Sequence, residues 1–226
     1  MIGLRGKGQG SLAEFGVAYD EIDLQPDGAV DEAALNQAME QPCRMVLIQR
    51  SCGYSWRPSV TVEQIAGLCE RIHARQPDCV LFVDNCYGEL VQEQEPTAVG
   101  ADLIAGSLIK NLGGTIAPTG GYIAGRADLV EQACCRLTAP GIGSEGGTGF
   151  DLQRLVLQGL FLAPQMVSEA LIGADLDDIN ARKNDHEDKL ANLIKQEEAL
   201  VDMIKRTDTS GMRQLYYRGN SRNTVV

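Results

Sequence analysis

Short apolar runs alternate with helix-like segments along the first 176 residues. The runs are continuous in apolar, often β-branched side chains, as buried parallel strands are, and they cover residues 44–49, 79–83, 101–107 and 120–125. Apolar residues recur at helical spacing over residues 61–75, 127–138 and 151–162, and Pro164 and Gly173 are expected to punctuate the chain after the last of these. This alternation predicts an α/β fold in which a mostly parallel sheet is flanked by helices.

The composition changes at residue 176. Only two of the 25 glycines follow this point, and residues 177–226 hold equal numbers of acidic and basic side chains. Residues 1–176 therefore carry the whole net charge of −11. We expect an α/β domain over residues 1–176, then a charged helix over about 177–206 and a loosely ordered tail to residue 226.

Charge and hydropathy argue against several classes of protein. A net charge of −11 disfavours nucleic acid as a partner, because duplex binding needs a basic surface. No apolar run approaches the roughly 18 residues of a membrane span, and the first ten residues lack the apolar core of a secretory signal. The seven scattered cysteines form neither a CxxC pair nor a zinc pattern with histidine, which favours reduced thiols in a cytoplasmic protein without a metal site.

Polar side chains follow two of the predicted strands directly. Asp84 comes after the run at 79–83, and Ser107 and Lys110 come at the end of the run at 101–107. Ligands bind beyond the carboxyl ends of parallel strands, so these side chains are expected at one rim. A lysine there can form a Schiff base with the aldehyde of pyridoxal 5'-phosphate (PLP), an acid can keep the pyridine nitrogen protonated, and a hydroxyl can bind the phosphate.

Each of these residues also has a simpler interpretation. Lys110 could be a solvated surface charge, Asp84 could cap the following turn, and Ser107 could begin a helix. Taken singly, these alternatives are favoured. Taken together, an acid and a lysine on successive strand ends favour a cofactor site, although the pattern by itself leaves both interpretations open.

Five stretches carry a resemblance to a known family: QRSCGYSWRP (49–58), FVDNCYGE (82–89), GSLIKN (106–111), APTGGYIAGR (117–126) and RLTAPGIG (136–143). In order and density they resemble the methionine gamma-lyase-like, or aluminium resistance, family, from about residue 2 to 173. This family belongs to the Cys/Met-metabolism branch of PLP enzymes, which have the aspartate-aminotransferase (type I) fold. The resemblance implies that Lys110 is the Schiff-base lysine, Asp84 the partner of the pyridine nitrogen and Ser107 a phosphate ligand.

The resemblance further implies a small-molecule substrate, a sulfur amino acid. Arg50, Tyr54 and Arg57, in a polar loop after the first strand, would lie near the cofactor or this substrate, although a solvated loop is the simpler interpretation. Enzymes of this fold usually build their active sites across a dimer interface, so a homodimer is expected.

The chain is also expected to depart from the family that it resembles. By this comparison we expect it to lack the N-terminal segment that supplies the glycine-rich phosphate loop and a stacking aromatic, and the small C-terminal domain with its carboxylate-binding arginine. Cys52 and Leu112 stand where many relatives would have an arginine and a proline. Three hypotheses follow: a PLP-dependent carbon–sulfur lyase, a truncated fragment of such an enzyme without activity, or an interaction protein that uses the helix at 177–206.

Overall fold

A computed structural model describes residues 10–25, 27–146, 149, 151–174, 187–196 and 198. The chain forms two compact units, Met1–Ala170 and Leu171–Val226, and each is described by itself. Within the second unit residues 187–196 are helical, while most of the helix predicted over 177–206 and all of the tail lie outside the described residues. The domain boundary expected at residue 176 stays a prediction.

The first unit is built on one four-stranded sheet with the strand order β1-β2-β3-β4. The strands are β1 (Met45–Gln49), β2 (Val80–Asp84), β3 (Leu103–Ser107) and β4 (Gly121–Gly125). β1, β2 and β3 are parallel, and β4 pairs antiparallel with β3. The predicted α/β fold with a mostly parallel sheet is therefore confirmed.

Four α-helices accompany the sheet in the described part of this unit. They are α1 (Glu32–Ala38), α2 (Val62–Arg75), α3 (Ala127–Leu137) and α4 (Gln153–Gly173). α2 begins with the capping box that Thr61 and Gln64 predict: each side chain accepts a hydrogen bond from the other residue's backbone N–H. α1 was not predicted; it is short, and Asp31 starts it by accepting a hydrogen bond from the N–H of Ala34.

The core lies between α2 and one face of the sheet. α2 buries its apolar side chains at helical spacing, and the facing strands contribute alternate residues, because successive strand side chains point to opposite faces. The buried cluster comprises Ile65, Leu68, Cys69 and Ile72 of α2, Ile48 of β1, Leu81 and Val83 of β2 and Ile104 of β3, with Leu35 and Met39 beside them. The opposite face is less covered, since Met45 and Leu47 remain exposed there.

Helix α4 is longer than predicted. Pro164 was expected to follow the helix, but it lies inside α4, which continues to Gly173. Proline removes one backbone hydrogen bond, and α4 tolerates this loss because its buried Gly159 and Ala163 lie against the backbone of Gly114. Helix α4 is long and apolar enough to cross a membrane, by length and composition alone. Core helices of soluble proteins meet the same criterion. In α4, 17% of the most apolar 18-residue window is buried.

Candidate active site at the carboxyl rim of the sheet

Two predicted site residues end neighbouring parallel strands. Asp84 is the last residue of β2 and Ser107 is the last residue of β3. Asp84 pairs with Ala105, and Ser107 lies two residues further along β3, so both side chains belong to the less covered face of the sheet. The structure thus brings the carboxylate and the hydroxyl to one rim.

Lys110 reaches this rim through a tight turn after β3. The N–H of Lys110 donates to the carbonyl of Ser107 (3.3 Å), and the Lys110 carbonyl accepts from the N–H of Gly113 (3.0 Å). The Ser107 hydroxyl stabilises the same turn by accepting from the N–H of Ile109 (3.3 Å). Lys110 is partly buried, and its Nζ lies 4.3 Å from the centre of the Tyr87 ring, which is cation–π range.

Cys86 joins the acid and the amine. Its N–H donates to Asp84 Oδ1 (3.1 Å), and its thiol lies within electrostatic reach of both the Asp84 carboxylate and the Lys110 ammonium. Burial, with Asp84 beside it, raises the pKa of the Cys86 thiol above its usual value. Asp84 and Lys110 therefore share one neighbour, a thiol that stays protonated at neutral pH.

The Lys110 amine is held as an ammonium by its surroundings. Partial burial lowers the pKa of Lys110, but interactions with the Cys86 thiol, and then with Tyr87 and Asp84, outweigh this effect. The pKa therefore lies above the usual value of a lysine. Because a neutral amine is the nucleophile towards carbonyl groups, reaction of Lys110 with an aldehyde becomes faster as the pH rises.

Residues 85–92, here called the β2 loop, follow β2 at this rim. Arg50 follows β1 directly and fixes the loop: its guanidinium donates to Asn85 Oδ1 (2.7 Å), the Gly88 carbonyl (2.9 Å) and Gln92 Oε1 (2.9 Å). Arg50 is only 3% exposed, so the alternative interpretation of a solvated loop residue does not hold for it. The backbone of Arg50 extends the β1–β2 pairing, and its N–H donates to the carbonyl of Asp84.

The β2 loop holds two residues in left-handed backbone conformations that favour glycine. Tyr87 has φ 67° and Leu90 has φ 63°. Such conformations are costly for residues with a Cβ and persist where the surroundings over-determine them. Here the buried Arg50 and the Leu90 N–H, which donates to Glu95 Oε1 (2.9 Å), supply that constraint. The loop thereby aims the Tyr87 ring at Lys110.

A buried polar chain continues from the β2 loop to β4. The Tyr122 hydroxyl donates to Glu89 Oε1 (2.9 Å) and accepts from Asn85 Nδ2 (3.2 Å), which also donates to Glu95 Oε2 (2.8 Å). Burial raises the pKa of Glu89 and of Tyr122 above their usual values. This chain fixes the loop against the sheet.

Residues 51–59, here called the β1 loop, hold the remaining predicted residues. Tyr54 is fully exposed. Arg57 donates to the carbonyl oxygens of Gln49, Ser51 and Pro58, so its guanidinium closes its own loop. The roles of Arg50, Tyr54 and Arg57 near a substrate stay predictions.

Sequence reasoning missed four residues of this site. Cys86, Tyr87 and Glu89 lie in the stretch that carried the family resemblance, and Tyr122 lies in β4, but no role was assigned to them. The signal for Glu89 and Tyr122 was weak, because an acid in a glycine-containing loop usually faces solvent. The burial of these groups depends on Arg50, far away in the sequence.

Comparisons with known proteins point to one family. The sequence profile named methionine gamma-lyase matches residues 1–210. The Bacillus subtilis protein YnbB is 45% identical over 175 residues, which are 77% of this chain and 42% of YnbB. An L-methionine gamma-lyase of Treponema denticola is 26% identical over 121 residues, covering 54% of this chain and 28% of that protein.

Solved structures agree with this placement. A Listeria innocua protein provisionally described as a cystathionine beta-lyase involved in aluminium resistance has a TM-score of 0.70 and 49% identity, covering 74% of this chain and 41% of that chain. A carbon–sulfur lyase involved in aluminium resistance from Clostridium novyi has a TM-score of 0.69 and 46% identity, covering 74% and 40%. The chain spans about half the length of such relatives, 42% of YnbB and 57% of a Lactobacillus delbrueckii protein. The resemblance found in the sequence is confirmed, and the chain belongs to the methionine gamma-lyase family.

Proposed function

We propose that this chain binds PLP through Lys110 and carries the cofactor-binding half of a carbon–sulfur lyase that acts on a sulfur amino acid. The observation that carries the proposal is that the Lys110 amine and the Asp84 carboxylate both lie next to Cys86, at the carboxyl rim of the sheet. Membership in a family named for a lyase supports the choice of reaction.

The polar groups of the rim fit this cofactor. Asp84 supplies a carboxylate and Ser107 a hydroxyl at the ends of adjacent strands on the less covered face, and Lys110 supplies a primary amine from the turn that follows β3. The Tyr87 ring lies beside the amine. When bound, PLP supplies a ring that accepts the electrons of a carbanion at the substrate's Cα.

The residues of the chain then have separate tasks. The neutral amine of Lys110 would hold the cofactor through its aldehyde group. Asp84 would keep a proton on the pyridine nitrogen, and Ser107 would donate to the phosphate. The Lys110 amine would also take the proton from the substrate's Cα.

Absorbance spectroscopy tests this proposal directly. Purified chain mixed with PLP is expected to show the visible band of lysine-bound cofactor in wild type and in Lys195→Ala, which removes an exposed lysine of the second unit. Lys110→Ala is expected to lose the band. A band that persists in Lys110→Ala, or that is missing from wild type, contradicts the proposal, and the latter outcome favours the inactive-fragment hypothesis. Thiol release from cystathionine, methionine or cysteine then identifies the substrate.

The expected homodimer also remains a proposal, and helix α4 is the surface that supports it. Leu157 and Phe161 (85% exposed) project from α4 beside an open groove of about 680 Å³, which Ile116 and Arg154 also line. The inner side of α4 contacts the turn that carries Lys110, since Gly159 lies against the backbone of Gly113 and Gly114. A second copy seated on the outer side would cover apolar area next to the site.

Sedimentation velocity tests the dimer with a matched pair of variants. Phe161→Asp is expected to convert the protein to a monomer, because the charge would be buried in the interface. Phe15→Asp changes another exposed phenylalanine and is expected to leave the dimer intact. Wild-type protein that sediments as a monomer overturns the proposal.

A further inference from the structure

Glu89 is a buried acid with one unpartnered oxygen. Its side chain is 2% exposed, although charged residues are rarely buried unless they are paired. Oε1 accepts a hydrogen bond from the Tyr122 hydroxyl, and Oε2 has no hydrogen-bond partner within the described part of the chain. An ionised carboxylate at this depth would need more donors than one phenol.

The neighbouring arginine does not supply the missing donor. The guanidinium of Arg50 is hydrogen-bonded to Asn85, Gly88 and Gln92, and Glu95 lies 3.7 Å from it as its opposite charge. The positive charge of Arg50 is therefore already opposed by the carboxylate of Glu95. Among the described residues, the Tyr122 hydroxyl is the side-chain donor that binds the Glu89 carboxyl group.

We propose that Glu89 works as a neutral acid, a positioning residue that holds Tyr122 in place, and that it leaves Asp84 as the carboxylate that serves the cofactor. The main chain of Glu89 also contacts the turn that carries Lys110, since Asn111 Nδ2, one residue after Lys110, donates to the backbone carbonyl of Glu89 (2.9 Å). The two acids have different tasks because their environments differ: Asp84 lies beside Cys86 at the rim, whereas Glu89 is buried.

Glu89 packs closely against β3. A Cβ added to Gly106 would collide with Glu89 Oε1 and with the Tyr122 ring, so glycine lets the acid and the phenol approach this point of β3. The Glu89 carboxyl group therefore lies against the strand whose end leads to Lys110. Because Glu89 is only 2% exposed, its ionisation would leave a poorly solvated charge.

The charge state of Glu89 affects Lys110 through space. The titratable and charged groups that face Glu89 are Tyr122, Glu95, Lys110 and Arg50. Burial raises the pKa of Glu89, the charge of Glu95 adds to this effect, and its backbone hydrogen bond, Tyr122 and Lys110 oppose it. An ionised Glu89 would be a second anion near Lys110 and would hold the amine more firmly as an ammonium, which opposes addition to an aldehyde.

This inference rests on the proposed function for the importance of Lys110, but its test needs no cofactor. Infrared spectra of the cofactor-free chain at pH 7 are expected to contain the carbonyl band of a protonated carboxylic acid in wild type, and to lose it in Glu89→Gln. Glu40→Gln, at an exposed site, is expected to keep the band. Tyr122→Phe is expected to shift the band, because the acid loses its hydrogen-bond donor, and this variant tests the assignment even where Glu89→Gln fails to fold.

The Lys110 amine gives the second readout. Competitive acetylation followed by mass spectrometry measures its titration midpoint, which is expected to agree within about 0.3 pH unit between wild type and Glu89→Gln. A midpoint that falls by about one unit in Glu89→Gln shows an ionised Glu89 paired with Lys110, and it overturns the inference. A wild-type spectrum without the acid band overturns it as well. Failure of PLP to bind Lys110 contradicts only the proposed function, so the two failures are distinguishable.

Discussion

The β1 loop and the β2 loop follow adjacent parallel strands at the same rim, but they are held in different ways. Side chains from outside its own sequence support the β2 loop: the buried Arg50 and the partly buried Glu95, Asn111 and Tyr122. The β1 loop is closed by Arg57 on its own backbone oxygens, and Tyr54 and Trp56 are exposed. Both loops contain residues expected near a ligand.

The difference means that residues of the β2 loop are in position before a ligand binds, whereas residues of the β1 loop would become ordered when it binds. Tyr87 and Cys86 already contact Lys110 without a ligand, so binding there costs little conformational entropy. Tyr54 would lose the freedom of an exposed side chain on contact with a substrate. The β2 loop is therefore the preformed part of the site, and the β1 loop is the adaptable part.

Of the substitutions that test this comparison of the two loops, removal of the Arg50 side chain is expected to lower the free energy of unfolding most. Arg50→Ala leaves Asn85 Oδ1 and the Gly88 carbonyl without donors in a buried place, and it leaves Glu95 without its counter-charge. We expect the free energy of unfolding to fall by about 2–4 kcal/mol. Arg57→Ala, in the β1 loop, loses hydrogen bonds to better solvated oxygens and should cost less than about 1 kcal/mol.

Urea denaturation followed by circular dichroism measures both Arg variants. Arg50→Lys should recover little of the loss, because an ammonium lacks the planar fork that reaches three acceptors. Equal losses in Arg50→Ala and Arg57→Ala would show that the two loops are supported equally, contrary to the comparison.

Gly106→Ala is expected to disturb the β2 loop from the sheet side. The new methyl group would collide with Glu89 and Tyr122, and such overpacking costs about 1–3 kcal/mol. The matched control is Gly67→Ala in α2, where an added Cβ meets nothing within 4 Å, and alanine in a helix should stabilise the protein by about 0.5–1 kcal/mol. Thermal melting should therefore move in opposite directions for the two variants. A Gly106→Ala variant as stable as wild type would mean that the Glu89–Tyr122 pair is free to move.

The predictable part of the fold is the part that local sequence determines. The capping box at Thr61 and the helical spacing of Ile65, Leu68 and Ile72 predict α2, because capping and periodicity are properties of neighbouring residues. The apolar run before Asp84 predicts a buried strand, and topology then predicts that Asp84 and Ser107 reach one rim. These predictions need only the immediate neighbours and one rule about parallel sheets.

The remaining features depend on contacts between distant residues. Arg50 follows a strand in a polar stretch, and its burial results from the β2 loop that folds over it. The buried state of Glu89 depends on Tyr122 and on the absence of a side chain at Gly106. Pro164 lies inside a helix because the flanking turns of α4 pack on the Gly113–Gly114 backbone. No local pattern encodes these contacts.

The smallest expected effect concerns Asp102, which supports the sheet just before β3, at the end opposite the rim. Its carboxylate accepts hydrogen bonds from the N–H of Leu81 (2.8 Å) and from Arg126 (3.2 Å), and His73 lies 3.2 Å away. Burial raises the pKa of Asp102, but these hydrogen bonds and the His73 charge outweigh it, and the net pKa lies below the usual value. The stabilisation is therefore complete above the pKa of an unfolded aspartate and disappears as the pH falls through the lower pKa of the folded state.

Asp102→Asn is accordingly expected to cost about 1–2 kcal/mol at pH 7, because a neutral amide accepts these hydrogen bonds more weakly. The difference from wild type should shrink as the pH falls below about 4, where the wild-type carboxylate also becomes protonated. Urea denaturation at several pH values measures this, with Asp78→Asn at an exposed site as the control. A loss that is independent of pH would assign the effect to packing rather than to charge.

Asp102 is remote from both loops, so Asp102→Asn should leave the acetylation midpoint of Lys110 unchanged. A shifted midpoint would show that the rim depends on the whole sheet and not on the β2 loop alone.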